Sequence, residues 1–237
     1  VISVYCPTYN RAEILKDRAL PSVLAQTYKN FEFIIMGDCC TDNTEDIVNS
    51  YHDPRVRYYN LESREGRKPP EYADWTAEEK AMYWWLMGPT WAANAALDLC
   101  RGEWIARIDD DDMWFPSHLE DLLLFAENGD YDFVSSAYER VEKSGITVIE
   151  QGDFGAGGTQ TWLYKAEIGL RYNPDSWRKE WNKNNDIDFV QRIYEGGWKM
   201  GYLPEVTALI VPRPGDTEIG SKAYLSDSGK ILDWIGE

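Results

Sequence analysis

Glu103-Trp104-Ile105-Ala106-Arg107-Ile108-Asp109-Asp110-Asp111-Asp112 decides how this chain is read. An apolar run of strand character ends in four carboxylates without a break. Adjacent like charges raise one another's pKa unless a cation neutralises them. Oxygen-only donors at the end of a buried strand suit a hard divalent ion, Mg²⁺ or Mn²⁺. Open α/β sheets bind ligands just beyond the carboxyl ends of their strands, so position and chemistry agree. The plainer alternative is that the acids cap the next helix. That helix has its own capping box, Ser117-His118-Leu119-Glu120 after Pro116, which leaves the acids without that task. Arg107, inside the strand, needs an anionic partner, expected among the nearby carboxylates.

Upstream, Val1–Tyr5 reads as a strand, and Asn10 with Glu13 starts a helix that runs to about Gln26. Phe31–Met36 is a second strand, closed by Gly37-Asp38. Asp42 with Glu45 opens a second helix, and Val56–Tyr59 is a third strand. Strand–helix–strand–helix order means a parallel sheet with right-handed crossovers. Residues 61 to 75 are charged and read as a mobile loop outside the core. Helical pattern resumes from Thr76, breaks at Gly88-Pro89 and continues to Cys100. Downstream, 117–128 is a helix with Leu119, Leu122, Leu123 and Phe125 inward, and 132–137 a strand. The alternation then stops. Strands are expected at 147–149, 160–164, 198–203 and 206–211, with a helix over 186–194 and an irregular tail from Pro212.

The chain has 237 residues and is 43% hydrophobic, enough for one large domain. Its formal net charge of −17 argues against nucleic acid and against an anionic membrane surface, which both require a basic footprint. An acidic protein that binds an anionic ligand needs a bridging cation. No run reaches the roughly 18 apolar residues of a membrane span. No signal peptide is read, since the chain starts directly in a strand, and that abrupt start suggests a trimmed chain or a piece of a longer protein. Cys6, Cys39, Cys40 and Cys100 form no CxxC and read as reduced small hydrophobes of a cytoplasmic protein. His52 and His118 read as turn and helix-surface residues rather than metal ligands.

The first half is laid out for nucleotide binding, yet it contains neither GxGxxG nor GxxxxGK[ST]. Val1-Ile2-Ser3-Val4-Tyr5-Cys6-Pro7-Thr8-Tyr9-Asn10-Arg11, Ser22-Val23-Leu24-Ala25-Gln26-Thr27-Tyr28, Thr41-Asp42-Asn43-Thr44 and Arg101-Gly102-Glu103-Trp104-Ile105-Ala106 with the acidic run, Pro116 and Leu119, resemble family 2 glycosyltransferases. The resemblance covers about residues 1 to 135 with one insertion. A weaker echo runs from Asn185-Asp186-Ile187-Asp188-Phe189 through Gly201-Tyr202-Leu203-Pro204. It implies a single-domain α/β fold of GT-A type, a Rossmann-like, mostly parallel sheet flanked by helices with a smaller mixed region. Residues 1–135 would form the nucleotide-sugar half, and 136–237 the acceptor half with a C-terminal lid.

The resemblance also implies inverting transfer of a sugar from a nucleoside diphosphate, a UDP-sugar foremost, to a hydroxyl acceptor. Pro7, Thr8, Tyr9, Arg11 and Asp38 would hold the nucleotide-sugar, together with Asn94, Asp109, Asp110 and Arg213. Asp109 and Asp111 would bind Mn²⁺ or Mg²⁺, and Asp112 is the additional acid that many members carry. Asp186 maps onto the catalytic base. Read without the resemblance, Asp38 is equally a turn acid, and Asp186 is an acid favoured by a helix N-terminus. Asp188 is expected to orient its neighbours. Arg213, between prolines, could close as a lid, with Lys222 a weaker candidate. Trp177 and Trp181 either stack on acceptor sugars or pack in the core.

The chain departs from the family pattern at Gly37, where an acid is usual, at Ala93-Asn94-Ala95, where Arg-Asn-Ala is usual, and at Asn185, where Glu is usual. Two rivals stand beside this reading. A sugar-1-phosphate nucleotidyltransferase would want a glycine-rich basic loop after the first strand, which Cys6 to Arg11 lacks. A non-catalytic glycan- or calcium-binding module would use the acids and aromatics without Asp186.

Overall fold

The computed structural model describes residues 1–179, 184–214, 216, 232 and 233. The elements run β1 (Ile2–Thr8), α1 (Ala12–Asp17), α2 (Ala19–Leu24), β2 (Phe31–Gly37), α3 (Thr44–Ser50), β3 (Val56–Asn60), α4 (Ala77–Met87) and α5 (Thr90–Leu99). They continue with β4 (Trp104–Arg107), β5 (Asp112–Trp114), α6 (His118–Gly129), β6 (Phe133–Glu142), β7 (Gly145–Ile149), β8 (Leu163–Lys165), α7 (Ser176–Lys179), α8 (Asn185–Glu195) and β9 (Met200–Ile210). Among the described residues, nine strands make one sheet in the order β3-β2-β1-β4-β8-β6-β9-β5, with β7 on β6. The β3-β2-β1-β4 part is parallel. Beyond β4 the sheet is mixed: β8 runs antiparallel to β4 and β6, β9 is parallel to β6, and β5 antiparallel to β9.

Every residue of β1 is buried, as expected of a central parallel strand covered on both faces. Ile2, Val4 and Cys6 join one core with α1, α2, α3 and α6. Tyr5 joins a second core with α5 and α8 on the opposite face. The period of two along β1 thus sends alternate side chains into two separate cores. A third, aromatic core gathers Tyr72, Tyr83, Trp84, Leu86, Met87 and Trp177.

Several expectations need correction. The first helix is two, interrupted at Arg18 (φ −125°, ψ −85°). The guanidinium of Arg18 donates to the carbonyls of Asp111, Val211 and Pro212 at 2.7–3.0 Å. Residues 159–161 form a 3₁₀ turn, and the strand there is Leu163–Lys165. The two late strands are one, β9, whose register with β6 jumps from Leu203 to Val206. Pro204 in that bulge has no N–H to give to a ladder.

Segment 61–75 does not hang free. Pro70–Asp74 is a 3₁₀ turn that delivers Tyr72 to the aromatic core, and Arg67 is buried. The expected capping box is absent: Ser117 Oγ donates to Asp121 Oδ2 at 2.6 Å, and Glu120 accepts from Thr27 Oγ1 at 2.6 Å. His118 is not on the surface but fully buried. It stacks on Trp114 at 4.1 Å and shares a 2.7 Å hydrogen bond with Thr207 Oγ1. Burial pushes its pKa down to about 3.

Gln26 replaces the capping serine. It is fully buried; its Oε1 accepts from Leu119 N at 3.0 Å, and its Nε2 donates to Phe115 O at 2.8 Å and Ser22 O at 3.1 Å. The end of α2 is therefore fastened to the turn that follows the acids. Gln26→Leu strands a buried N–H and a carbonyl and is expected to cost about 2–4 kcal/mol, read as a lower urea midpoint with unchanged far-ultraviolet circular dichroism.

Candidate active site

A cavity of about 570 Å³ lies beyond the carboxyl ends of β1, β2 and β4, and all four acids line it. β4 ends at Arg107 and β5 begins at Asp112, so Asp109–Asp111 form the turn between two strands fixed in the sheet. Each acid meets a different environment. Asp109 Oδ1 accepts from Arg107 Nε and Nη2, both at 2.9 Å, the carboxylate partner expected for that arginine. Asp110 is buried, with one oxygen on Thr8 Oγ1 at 2.7 Å and the other on Arg11 Nη1 at 2.9 Å. Burial pushes the Asp110 pKa up; Arg11 opposes and Asp111 adds to the rise. Asp111 is held more loosely, 3.5 Å from Arg11 Nη1 and 3.6 Å from Arg213 Nε. Asp112 is buried and held well above the usual carboxylate range, first by burial, then by Asp111, Asp109 and Asp110, with Arg107 opposing.

Among the described residues, no three acidic, cysteine or histidine side chains converge as a ready-made metal cage. The donor set still fits Mg²⁺ or Mn²⁺ beside a diphosphate, because such ions take one or two carboxylates and draw their other ligands from phosphate and water. Asp111 is partly exposed and only distantly paired, and Asp109, Asp110 and Asp112 line the cavity beside it.

At the other end of the cavity, Asp38 follows β2 and is buried. Segment 61–68 supplies its counterions. Arg67 Nη1 pairs with Asp38 Oδ1, and Arg64 Nη2 lies 3.1 Å from Asp38 Oδ2. The Arg64 guanidinium also sits 3.5 Å above the Tyr9 ring. Arg67 is held in turn by the Ser63 carbonyl at 3.0 Å, by the Trp91 ring at 5.1 Å, and through its own carbonyl by the Tyr83 hydroxyl. Charges that read as solvated in one dimension are paired with a buried acid in three.

Asp186 lines the same cavity from the first turn of α8. Its Oδ2 accepts from Thr159 Oγ1 at 2.7 Å and its Oδ1 from the Ile187 N–H at 2.8 Å. Asn185 ties that turn to α5 through Thr90 Oγ1 at 2.8 Å. Asp188 is buried against Arg192 Nε at 2.8 Å. Arg213 also lines the cavity, 3.3 Å from Asp216; burial lowers its pKa.

The structure therefore gathers Pro7, Thr8, Tyr9, Arg11, Asp38, Asp109, Asp110, Asp111, Asp186 and Arg213 around one cavity. Asn94 is placed apart from these residues. Its amide is spent on the Tyr172 backbone, donating to the carbonyl and accepting from the N–H at 2.8 Å each, and it lies outside the cavity lining. Trp177 is buried in the aromatic core, so packing accounts for it. Trp181 and Lys222 lie outside the described residues. The pattern reading missed Arg64, Arg67, Thr159, Gln160, Trp84 and Trp85; the concentration of arginines after β3 was the available signal.

The sequence profile of Glycosyl transferase family 2 matches residues 3–68 and 85–194. The chain belongs to this family. Segment 69–84, which the profile leaves out, supplies Tyr72, Tyr83 and Trp84 to the aromatic core. The chain is 34% identical over 125 residues to the putative colanic acid biosynthesis glycosyl transferase WcaA of Escherichia coli, covering 52% of this chain and 37% of that protein. It thus spans well under two thirds of that relative. The fold is that of the GT-A glycosyltransferases. It superposes on Staphylococcus aureus TarS 1–349 in complex with UDP-GlcNAc with a TM-score of 0.69 at 20% identity, covering 99% of this chain and 65% of TarS 1–349. Against the mannosyltransferase PcManGT of Pyrobaculum calidifontis, solved with GDP-Man and Mn²⁺, the TM-score is 0.61 at 16% identity, covering 89% and 56%.

The raised pKa of Asp112 makes a pH prediction. The folded state holds this proton more tightly than the unfolded chain, so Asp112 favours folding most below its unfolded pKa of roughly 4. That contribution is lost as pH climbs toward the folded value. Asp112→Asn is expected to flatten the decline of stability above pH ~4 and to raise the melting temperature at pH 7.5 by a few degrees, roughly 1 kcal/mol for a domain of this size, in thermal melts without divalent ions.

Proposed function

We propose that the chain transfers a sugar from a nucleoside-diphosphate donor, foremost a UDP-sugar, to a hydroxyl acceptor, with inversion and with the aid of Mn²⁺ or Mg²⁺. The observation that carries this reading is the single cavity that joins the four-acid turn to Asp186. Family membership and the nucleotide-sugar complexes of the two structural neighbours support it. The Tyr9 and Asp38 end would take the nucleoside, with Arg64 and Arg67 set beside it. Asp111 with Asp109 would hold the divalent ion, which when bound neutralises charge on the departing diphosphate. Arg213, already beside Asp111, would close over that diphosphate from the C-terminal side.

Asp186 accepts the proton from the acceptor hydroxyl as that oxygen attacks the anomeric carbon. Thr159 and the Ile187 N–H fix the carboxylate so that it needs no reorientation during the step. Attack opposite the leaving diphosphate inverts the configuration. The four cysteines are free, which fits a reducing, cytoplasmic setting. Among the described residues, no helix is long and apolar enough to cross a membrane.

Asp186→Asn is expected to bind UDP-sugar within about twofold of the parent while transfer falls by roughly 10²–10⁴; parallel losses of binding and transfer contradict the base. Asp111→Ala is expected to abolish the increment in UDP affinity that Mn²⁺ provides, measured by isothermal titration. A retained increment contradicts the metal site.

A further inference from the structure

The Asp186 carboxylate is held from outside its own helix. The 3₁₀ turn Thr159–Thr161 puts Thr159 Oγ1 on Asp186 Oδ2 at 2.7 Å. The residues before this turn run against β6. Gly157 N–H donates to Ser135 Oγ at 2.8 Å, and a Cβ at Gly157 would collide with the Ser136 carbonyl. The turn itself is held by Trp114, whose indole N–H donates to the Gln160 carbonyl at 2.7 Å in a buried bond that spans 46 residues. Trp114 stands two residues after Asp112 on β5, so both side chains leave the same face of that strand, and both are buried. Trp114 is fixed in its turn. Its ring stacks on His118 at 4.1 Å, with 17° between the planes. His118 Nδ1 shares a 2.7 Å hydrogen bond with Thr207 Oγ1, which shares one of 2.6 Å with Ser136 Oγ. One side chain thus joins the strand that continues the acid turn to the turn that carries Thr159.

We infer that Trp114 is a positioning residue, which sets the Asp186 carboxylate against the acid turn through the Gln160 carbonyl and Thr159. This rests on the function proposed above. Packing in the core of β1 and α6 accounts for the ring. The direction of its N–H is what reaches the turn. Only an indole combines a ring of this size with a fixed N–H donor. A buried carbonyl that loses its donor keeps the cost of desolvation, so the turn shifts to find another partner and Thr159 shifts with it. A base must lie within hydrogen-bond reach of the proton it takes, and a displacement of about 1 Å can slow a reaction about 10²-fold. Donor binding uses other walls of the cavity and does not depend on this link.

The test uses water as the acceptor. Mn²⁺-dependent hydrolysis of UDP-glucose and UDP-N-acetylglucosamine is followed by release of UDP, and donor binding by isothermal titration, for the parent, Trp114→Phe, Thr159→Val and the double variant. In hydrolysis the water oxygen bonds to the anomeric carbon, the bond from that carbon to the diphosphate breaks, and Asp186 takes the water's proton. Trp114→Phe keeps a ring and removes the N–H. It is expected to bind donor within about twofold of the parent and to hydrolyse it about tenfold more slowly. Because Trp114 acts through Thr159, the double variant is expected to be no more than about twofold slower than Thr159→Val alone. A merely structural tryptophan gives losses that multiply, or a loss of donor affinity that follows the loss of rate. Either result overturns the inference, as does an unchanged rate. If Trp114→Phe does not fold, benzothienylalanine at position 114 alone, with the tryptophan shape and sulfur in place of the N–H, carries the same expectation. Asp186→Asn separates the inference from the reading beneath it. A rate that survives Asp186→Asn, or a parent that binds or hydrolyses neither donor, overturns that reading and the inference with it; a rate lost in Asp186→Asn and kept in Trp114→Phe overturns the inference alone.

Discussion

Four carboxylates follow one another from the turn after β4 into the first residue of β5, and much of the surrounding structure answers their mutual repulsion. The cations come from distant parts of the chain: Arg107 from the strand itself, Arg11 from the turn after β1, Arg213 from the tail beyond β9. Arg18, at the break between α1 and α2, holds the Asp111 carbonyl and the carbonyls where β9 leaves the sheet. The repulsion is relieved unevenly. Asp109 and Asp110 have close partners, Asp111 has distant ones, and Asp112 remains with a strongly raised pKa. An arrangement that leaves negative charge uncompensated where carboxylates meet a cavity is suited to a ligand that arrives with a divalent cation.

The opposite end of the cavity follows the same rule with the numbers reversed. One buried acid, Asp38, meets two arginines from a segment that continues directly into the part of the chain outside the family profile. That part brings Tyr72, Tyr83 and Trp84 to the aromatic core and rests Trp84 on the cavity. The edge-to-face contacts among these rings, such as Trp75 on Trp177 at 5.1 Å, bind the insertion to α7. The GT-A sheet places the acids, and the insertion shapes the wall they face.

Much of this was legible in one dimension where the signal is local. Continuous apolar runs marked β1, β2 and β4, and the acids that close the runs of β2 and β4 put Asp38 and Asp109 at the sheet's ligand edge. Helix-start chemistry placed Asp186 at the first turn of α8. Failures occurred where a residue's meaning depends on a distant partner. Ser117 and Glu120 have capping-box spacing, yet Gln26, 93 residues before Leu119, takes the helix N–H. His118 reads as a surface residue because neither Thr207 nor Trp114 is visible as its neighbour from the local pattern. Arg64 and Arg67 read as solvated because nothing local says that Asp38 will stand against them.

The central claim is that the acid turn and Asp38 mark the two ends of one nucleotide site, bridged by a divalent ion. Anomalous diffraction at the manganese edge, from a crystal grown with UDP and Mn²⁺, tests it most directly. The account predicts a manganese peak between the Asp111 carboxylate and the diphosphate, with the uracil at the Tyr9 and Asp38 end. A nucleotide bound elsewhere, or one bound in the cavity with no anomalous peak at the acid turn, would contradict it.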